Sequence, residues 1–405
     1  MGSLIALAEA RDHILGLCPV PVSAEVQVAN ARGLVLAEPV DSHEHVPPFA
    51  NTAMDGFAVR AKDTVGAPVT LSVVGTVAAG MDPVAGRIEV EPGTAVRIMT
   101  GAPMPPGADA VVMVERTNLS SDGCNVEVTV EVPVGNHVRL AGEDLMAGDQ
   151  VFEAGTVLGP GHLGVLASIG TQSVVVYRRL LVGVLSTGDE LSEGPEALAP
   201  GQIRDANRPS LLGLLDELGV EAVDLGRVPD SELAIESALV DAVARCDAVL
   251  TSGGVSMGDF DYVKVVLNRI GEMRWMQIAI KPAKPLAFGL VDGVPVFGLP
   301  GNPVSSMVSF ELFARPALRA MAGHVELDRR NVRALVDGGL ERHSDGKVHY
   351  ARVLVNVLDG QFWVCSAGGQ GSHQLSAMAA ANGLALLPDG NGIPHGGEVE
   401  VLLLD

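Results

Sequence analysis

The chain has 405 residues, 47% of them hydrophobic and 3% aromatic, with a formal net charge of −22. That length allows roughly two to four domains, with cores built from Val, Ala and Leu. The acidic balance argues against nucleic acid and against anionic membrane surfaces as partners. It leaves any anionic ligand dependent on a few clustered Lys or Arg side chains, or on a metal ion.

A first helix runs from a Ser3 cap to about Gly16, with Leu4, Leu7, Ala8 and Ile14 toward one side. Cys18-Pro-Val-Pro-Val22 ends it. Residues 23–40 read as a strand and a short helix. Asp55-Gly56 is a turn signal between apolar residues. Between residues 69 and 139, Val69/Leu71/Val73, Ile88/Val90 and Val126/Val128/Val130/Val132 alternate, which predicts an antiparallel β domain. Within it, Arg97-Ile-Met-Thr-Gly-Ala-Pro-Met-Pro-Pro-Gly107 is a long irregular loop of the kind that carries function. Residues 139–178 form a connector with a strand at Gln150–Phe152, a short helix at Gly161–Gly170 and a strand at Val174–Tyr177.

From Leu180 to about Ala322, strands and helices alternate, predicting a doubly wound, mostly parallel sheet. Such sheets bind ligands outside the carboxyl ends of their strands. The turns expected on that rim are Ser186-Thr-Gly-Asp-Glu190, Pro229-Asp230, Ser252-Gly-Gly254, Lys281-Pro-Ala-Lys284 and Pro300-Gly-Asn-Pro303. Gly253 and Gly254, ahead of a helix start, offer bare amides to an anion. Asp259 suits an N-cap and Asp261 a first-turn acid; carboxylates beside a phosphate site otherwise imply a bridging divalent cation. Proline after Lys281 and after Lys284 holds the two ammonium groups in place. Pro303 suits the first position of a helix.

From Glu326 the pattern is β again, with a hairpin signal at Asp359-Gly360 and a last strand at Val399–Leu404. Arg352 falls on the face opposite the valines. Ser372 can cap the helix that Asn382-Gly383 stops, or offer its hydroxyl to an oxyanion. His43-Glu-His45 reads as a solvated loop, since no third metal ligand lies nearby. Cys18, Cys124, Cys246 and Cys365 are far apart and expected to be reduced, mostly buried thiols. No apolar run of about 18 residues predicts a membrane span. Met1-Gly-Ser-Leu-Ile5 lacks a basic n-region, so the expected location is cytoplasmic.

Read together, the segments Asn51-Thr-Ala-Met-Asp-Gly-Phe-Ala58, Thr100-Gly-Ala-Pro103, Gly142-Glu-Asp144, Ser186-Thr-Gly-Asp-Glu-Leu191, Ser252-Gly-Gly-Val-Ser-Met-Gly-Asp-Phe-Asp-Tyr262, Lys281-Pro-Ala-Lys-Pro285, Gly298-Leu-Pro-Gly-Asn-Pro-Val-Ser305 and Gly369-Gln-Gly-Ser-His373 resemble the molybdopterin molybdenumtransferases of the MoeA type, relatives of the gephyrin C-terminal domain. The resemblance spans nearly the whole chain. Phe57, Thr52 and Ala283 depart from the usual Tyr, Ser and Gly without removing a charge.

The resemblance implies an elongated α/β plus β chain. Its parts would be a connector (1–45 and 140–178), an antiparallel β domain (46–139), a doubly wound molybdopterin-binding domain (179–326) and a C-terminal β domain (327–405). It implies insertion of molybdate into adenylylated molybdopterin, with Mg²⁺, by a homodimer in transient contact with a molybdopterin adenylyltransferase. Asp55, Thr100, Asp144, Glu190, Asp230 and Asp261 would be catalytic, with the metal on Asp230 and Asp261. Substrate would meet Thr187, Gly188, Asp205, Asn207, Ser252, Gly253, Gly254, Ser256, Pro300, Gly301, Asn302, Pro303 and Ser305. Lys281, Lys284, Arg352 and Ser372 would hold molybdate. Two other readings share the wound module: an adenylyltransferase or CinA-type hydrolase, and a non-enzymatic dimeric scaffold.

Overall fold

A computed structural model of the chain describes residues 4–253 and 262–404. Gly254, Ser256, Asp259 and Asp261, like the Ser3 cap, lie outside the described residues. Contacts divide the chain into two compact units, Met1–Ala24 with Gly33–Ala37 and Val176–Asp405, and Glu25–Arg32 with Glu38–Val175.

The first unit contains the wound sheet. Its strands are β1 (Leu181–Thr187), β2 (Glu221–Val228), β3 (Ala248–Ser252), β4 (Glu272–Gln277), β5 (Pro285–Val291) and β6 (Val294–Leu299), in the order β2-β1-β3-β6-β5-β4. β2, β1, β3 and β6 are parallel; β5 and β4 are antiparallel additions at one edge. The apolar runs at β1, β3 and β6 are the sequence signature of strands covered on both faces.

Helices α1 (Asn207–Leu218), α2 (Glu232–Val243), α3 (Tyr262–Ile270) and α4 (Pro303–Ser309) provide that cover. Leu211 and Leu215 of α1 pack with Val304 and Val308 of α4 on one face, together with Ile14 of the N-terminal helix Leu7–Leu17. Ile235 and Leu239 of α2 pack with Val266 and Leu267 of α3 on the other. The helix predicted from Pro303 is long because α4 continues through a π turn, Phe310–Ala314, into Arg315–Met321. Pro316 has no N–H and would clash with the carbonyl four residues back; the wider turn just before it accommodates the ring.

The C-terminal strands are β7 (Asn331–Val336), β8 (Val348–Leu358), β9 (Gln361–Ser366), β10 (Gly383–Leu387) and β11 (Glu398–Leu403). They pair as β8-β9-β7-β11-β10, and β10 returns to β8, closing a small barrel around Val336, Val353, Val364 and Val401. Asp359 and Gly360, both at positive φ, make the predicted hairpin between β8 and β9. Residues Ile280–Lys281 add to the start of β8 in parallel, so the turn between β4 and β5 is tied to the barrel.

The second unit centres on a six-stranded sheet over residues 56–128. It is not wholly antiparallel as expected. Val69–Val77 and Thr94–Ile98 run parallel, because residues 78–93 cross over rather than turn tightly. Ile88 and Val90 alternate but are not a strand; they lie in that crossover and pack against Ile98 and Val111. Gly56 is required by contact, since a Cβ there would sit 2.0 Å from the Val112 carbonyl oxygen.

The four cysteines are free thiols, as expected, but only Cys246 is fully buried and Cys124 is exposed. No helix among the described residues is long and apolar enough to cross a membrane.

Candidate functional site

The carboxyl ends of β1, β3 and β6 meet at a knot of small and polar residues. Ser252 of β3 pairs in register with Ser186 of β1 and Leu299 of β6. Asn207, the first residue of α1, is buried, and its Nδ2 donates to Ser252 Oγ (2.7 Å) and to the Gly301 carbonyl (2.7 Å). The Gly253 amide donates to the Leu299 carbonyl (3.2 Å). Gly253 has φ +97°, and a Cβ on it would approach the Thr187 carbonyl to 3.0 Å. The structure therefore brings Thr187, Asn207, Ser252, Gly253 and Gly301 together as expected.

Beside this knot, Asp189 and Asp230 clasp each other. The Asp189 amide donates to Asp230 Oδ2 and the Asp230 amide to Asp189 Oδ1, each at 3.2 Å. Burial raises the Asp230 pKa, and the charges of Asp189 and Glu190 add to it. Gly188 has φ +145°, a backbone conformation that favours glycine, and the Glu190 carboxylate folds back over it. Asp205, expected to contact substrate, is held by Arg208. Its side chain is 2% exposed, and its carboxylate accepts from the Arg208 backbone amide and side-chain Nε.

On the other side, Lys281, Lys284, Asn302, Ser305 and Ser372 line one open cavity of about 560 Å³. The chain has five lysines, and three line this cavity, because Lys347 is the third. Lys281 and Lys284 make no ion pair or hydrogen bond through their ammonium groups among the described residues. Asn302 precedes α4, and Pro303 is its first residue, as predicted. Ser372 does not cap the helix Leu375–Ala380; its carbonyl accepts from the Val304 amide, fastening the loop to α4. Sequence reasoning missed Lys347, Gln370 and Gly371 in this wall. The scarcity of lysine was the one signal that pointed to Lys347.

Arg352 is fully buried and among the described residues has no acidic partner. Its Nη2 donates to the carbonyls of Gly369 (2.7 Å) and Gly371 (3.2 Å), while Gln370 Oε1 accepts from the Arg352 amide (2.9 Å). Nε has no partner. Arg352 thus shapes the loop that forms the cavity wall, and it lines an adjoining cavity of about 280 Å³ that shares Lys281, Pro282 and Gln370.

In the second unit, Asp55 Oδ1 accepts from the Thr100 amide (2.7 Å) and hydroxyl (2.8 Å), which hold its pKa below the ordinary carboxylate value. The Asp144 amide bonds the Val46 carbonyl. His45 Nδ1 accepts from the Ala147 amide (3.2 Å).

Three family models cover the chain: the MoeA N-terminal region (domain I and II) over residues 5–170, a probable molybdopterin binding domain over 183–320, and the MoeA C-terminal region (domain IV) over 340–404. A molybdopterin molybdenumtransferase from Haemophilus influenzae is 40% identical over 98% of this chain and 97% of its own. The chain belongs to the molybdopterin molybdenumtransferase family.

With that family it takes its place in molybdenum cofactor biosynthesis. Molybdopterin molybdenumtransferase 2 of Mycobacterium tuberculosis is 38% identical over 90% of both chains. The solved molybdopterin biosynthesis moeA protein of Pyrococcus horikoshii OT3 superposes with a TM-score of 0.80 at 30% identity, covering 99% of this chain and 100% of that one. Against that family background Ala283 gains meaning. It sits between Lys281 and Lys284 at φ +71°, the left-handed region that favours glycine, and it is 2% exposed.

Proposed function

We propose that this chain inserts molybdate into adenylylated molybdopterin, releasing AMP and molybdenum cofactor. The observation that carries the reading is the lysine cavity: in a protein of net charge −22, two ammonium groups of one cleft have no partner among the described residues. Unpaired cations repel each other and cost stability, so their retention points to an anionic ligand.

In this reading Lys281, Lys284, Arg352 and the Ser372 hydroxyl hold molybdate, and Arg352 also keeps the Gly369–Gly371 wall in place. Gly253 and Gly301 let the substrate's phosphates approach the backbone, with Asn207 fixing the two turns relative to each other. The described acids fit magnesium chemically. They are hard oxygen donors, and Asp230 is desolvated and repelled by Asp189 and Glu190, an imbalance a divalent cation relieves. Among the described residues no cluster of three such groups is placed to hold a metal by itself. Asp230 would therefore act with Asp261 and with phosphate oxygens, the usual sparse protein ligation of this ion. When bound, Mg²⁺ would polarise the phosphoanhydride and make AMP a better leaving group. Water would cleave that anhydride to AMP and the pterin's terminal phosphate, while the dithiolene sulfurs, which carry no bond to the adenylate, would take molybdenum beside the lysines as two molybdate oxygens leave as water. Asp55, Thr100 and Asp144 would complete the cleft from the partner subunit of a homodimer. The setting would be the cytoplasm, with a molybdopterin adenylyltransferase delivering substrate.

The test is AMP release from adenylylated molybdopterin in the presence of molybdate and Mg²⁺. Asp261→Ala should keep the fold and abolish release. Wild-type turnover in that variant, or turnover of ATP in place of AMP release, would overturn the assignment.

A further inference from the structure

Lys347 lies outside every residue role assigned above, yet it lines the lysine cavity. Its position is fixed by the backbone. Val348 and His349, the first residues of β8, pair with Ile280 and Lys281, and the Val348 amide donates to the Ala279 carbonyl (2.9 Å). That pairing sets Lys347 beside the turn that carries Lys281 and Lys284.

Unlike those two, Lys347 is occupied. Its Nζ donates to Asp345 Oδ2 at 2.9 Å, with the lysine side chain 20% exposed. The two partners are unequally committed. Asp345 Oδ1 also meets Arg342 Nη2 (2.9 Å) and His349 Nε2 (3.0 Å). Arg342 in turn holds a second carboxylate, Asp389 (2.8 Å), and the carbonyls of Lys347, Leu387 and Pro388. Asp345 therefore keeps counter-charge without Lys347, whereas the Lys347 ammonium has Asp345 as its one partner among the described residues. The four-carbon stem of a lysine lets its ammonium swing between neighbouring acceptors at small cost.

We propose that Lys347 is a third oxyanion-binding cation of the cavity, restrained by Asp345 until a tetrahedral dianion competes for it. The proposal rests on reading the Lys281–Lys284 cavity as the molybdate site, and it adds a tuning device to that site. Asp345 subtracts from the cavity's pull on any oxyanion, and a bound dianion regains that pull by drawing the Lys347 ammonium over. Burial works to raise the Asp345 pKa, but the bonds from Lys347 and His349 outweigh it and hold the carboxyl at about 2, so the restraint is present throughout the neutral range.

The test is calorimetric titration of the full-length protein with sodium molybdate and, separately, sodium sulfate, without pterin substrate. Lys347→Ala should weaken molybdate binding about tenfold, the loss of one charge-assisted hydrogen bond. Lys347→Arg should restore most of it. Asp345→Asn should do the opposite and tighten binding several-fold for both anions. A purely structural clip predicts that both alanine and asparagine variants weaken binding alike, and that result would refute the proposal. Wild-type affinity in Lys347→Ala would refute it alone. A wild-type protein that binds neither anion would overturn the cavity reading and this proposal together. If Asp345→Asn does not fold, the Ala and Arg variants at Lys347 still decide.

Discussion

At one end of the strand-end rim, Asp189, Glu190 and Asp230 crowd around the carboxyl ends of β1 and β2; at the other, Lys281 and Lys284 stand beside β5 and β6 with no acid paired to them among the described residues. The two ends treat charge differently. The acids satisfy part of their demand locally, each of Asp189 and Asp230 accepting the other's backbone amide. What remains is like-charge repulsion and desolvation, which raise Asp230. The lysines satisfy none of theirs among the described residues. In an acidic protein these surplus charges would have been easy to cancel across the rim, and they are kept apart. The lesson is that one end is arranged for a cation and the other for an anion.

The largest effect should come from removing the cationic end. The double variant Lys281→Ala/Lys284→Ala should lower molybdenum insertion by at least about 10³-fold, on the scale of losing preorganised charge stabilisation. Calorimetric melting should leave its transition unchanged or slightly raised. A loss of only a few-fold would break the comparison.

Next is the acidic end. Asp230→Asn should cost about 10²-fold in AMP release, while magnesium should raise the melting temperature of the wild type and leave that of the variant unmoved. Its pH signature has a definite sign. A carboxyl raised in the folded state favours folding at low pH, and that contribution is lost as pH climbs through its folded pKa. The wild type should lose stability there and Asp230→Asn should not.

His324 supplies a control, a strained cationic neighbourhood outside either cavity. Burial, then Arg319 and Arg315, lower its pKa from 6.5 to about 4. The unfolded chain takes up this proton first, so stability falls as pH drops from about 6.5 to 4. His324→Gln should flatten urea-unfolding profiles over that window and leave insertion activity at neutral pH intact.

The smallest effect belongs to Ala283. Relieving its left-handed backbone with Ala283→Gly should stabilise by about 1 kcal/mol at most, since greater freedom in the unfolded chain offsets part of the gain. The same change loosens the lysine turn, and a KM for molybdate raised about twofold would sharpen the link between that turn and the anion.

Much of the wound domain was legible because its signals are local. Continuous apolar runs at 181–187, 248–252 and 294–299, each followed by small polar turns, place strand ends on one rim whatever the distant chain does. The Asp359-Gly360 hairpin and the Pro303 helix start were legible for the same reason. The β domain was less so. Alternation at Val69–Val73 and at Ile88/Val90 reports which side is apolar, but not whether a neighbour runs parallel or whether a ladder forms at all. Within the site, the sequence could not show that Asp205 is also fastened to Arg208, or that Arg352 also holds the Gly369–Gly371 loop.

The amino-acid order alone determined the strand–helix alternation, the glycine and proline turns, and the family to which the chain belongs. Only the tertiary structure decided which charges are spent and which are free: Asp205 neutralised, Arg352 buried, Lys347 restrained, Lys281 and Lys284 open to the cavity. Periodicity and turn chemistry depend on neighbours a few residues away. The compensation of a charge depends on every group within several ångströms, and here those groups come from segments tens of residues apart.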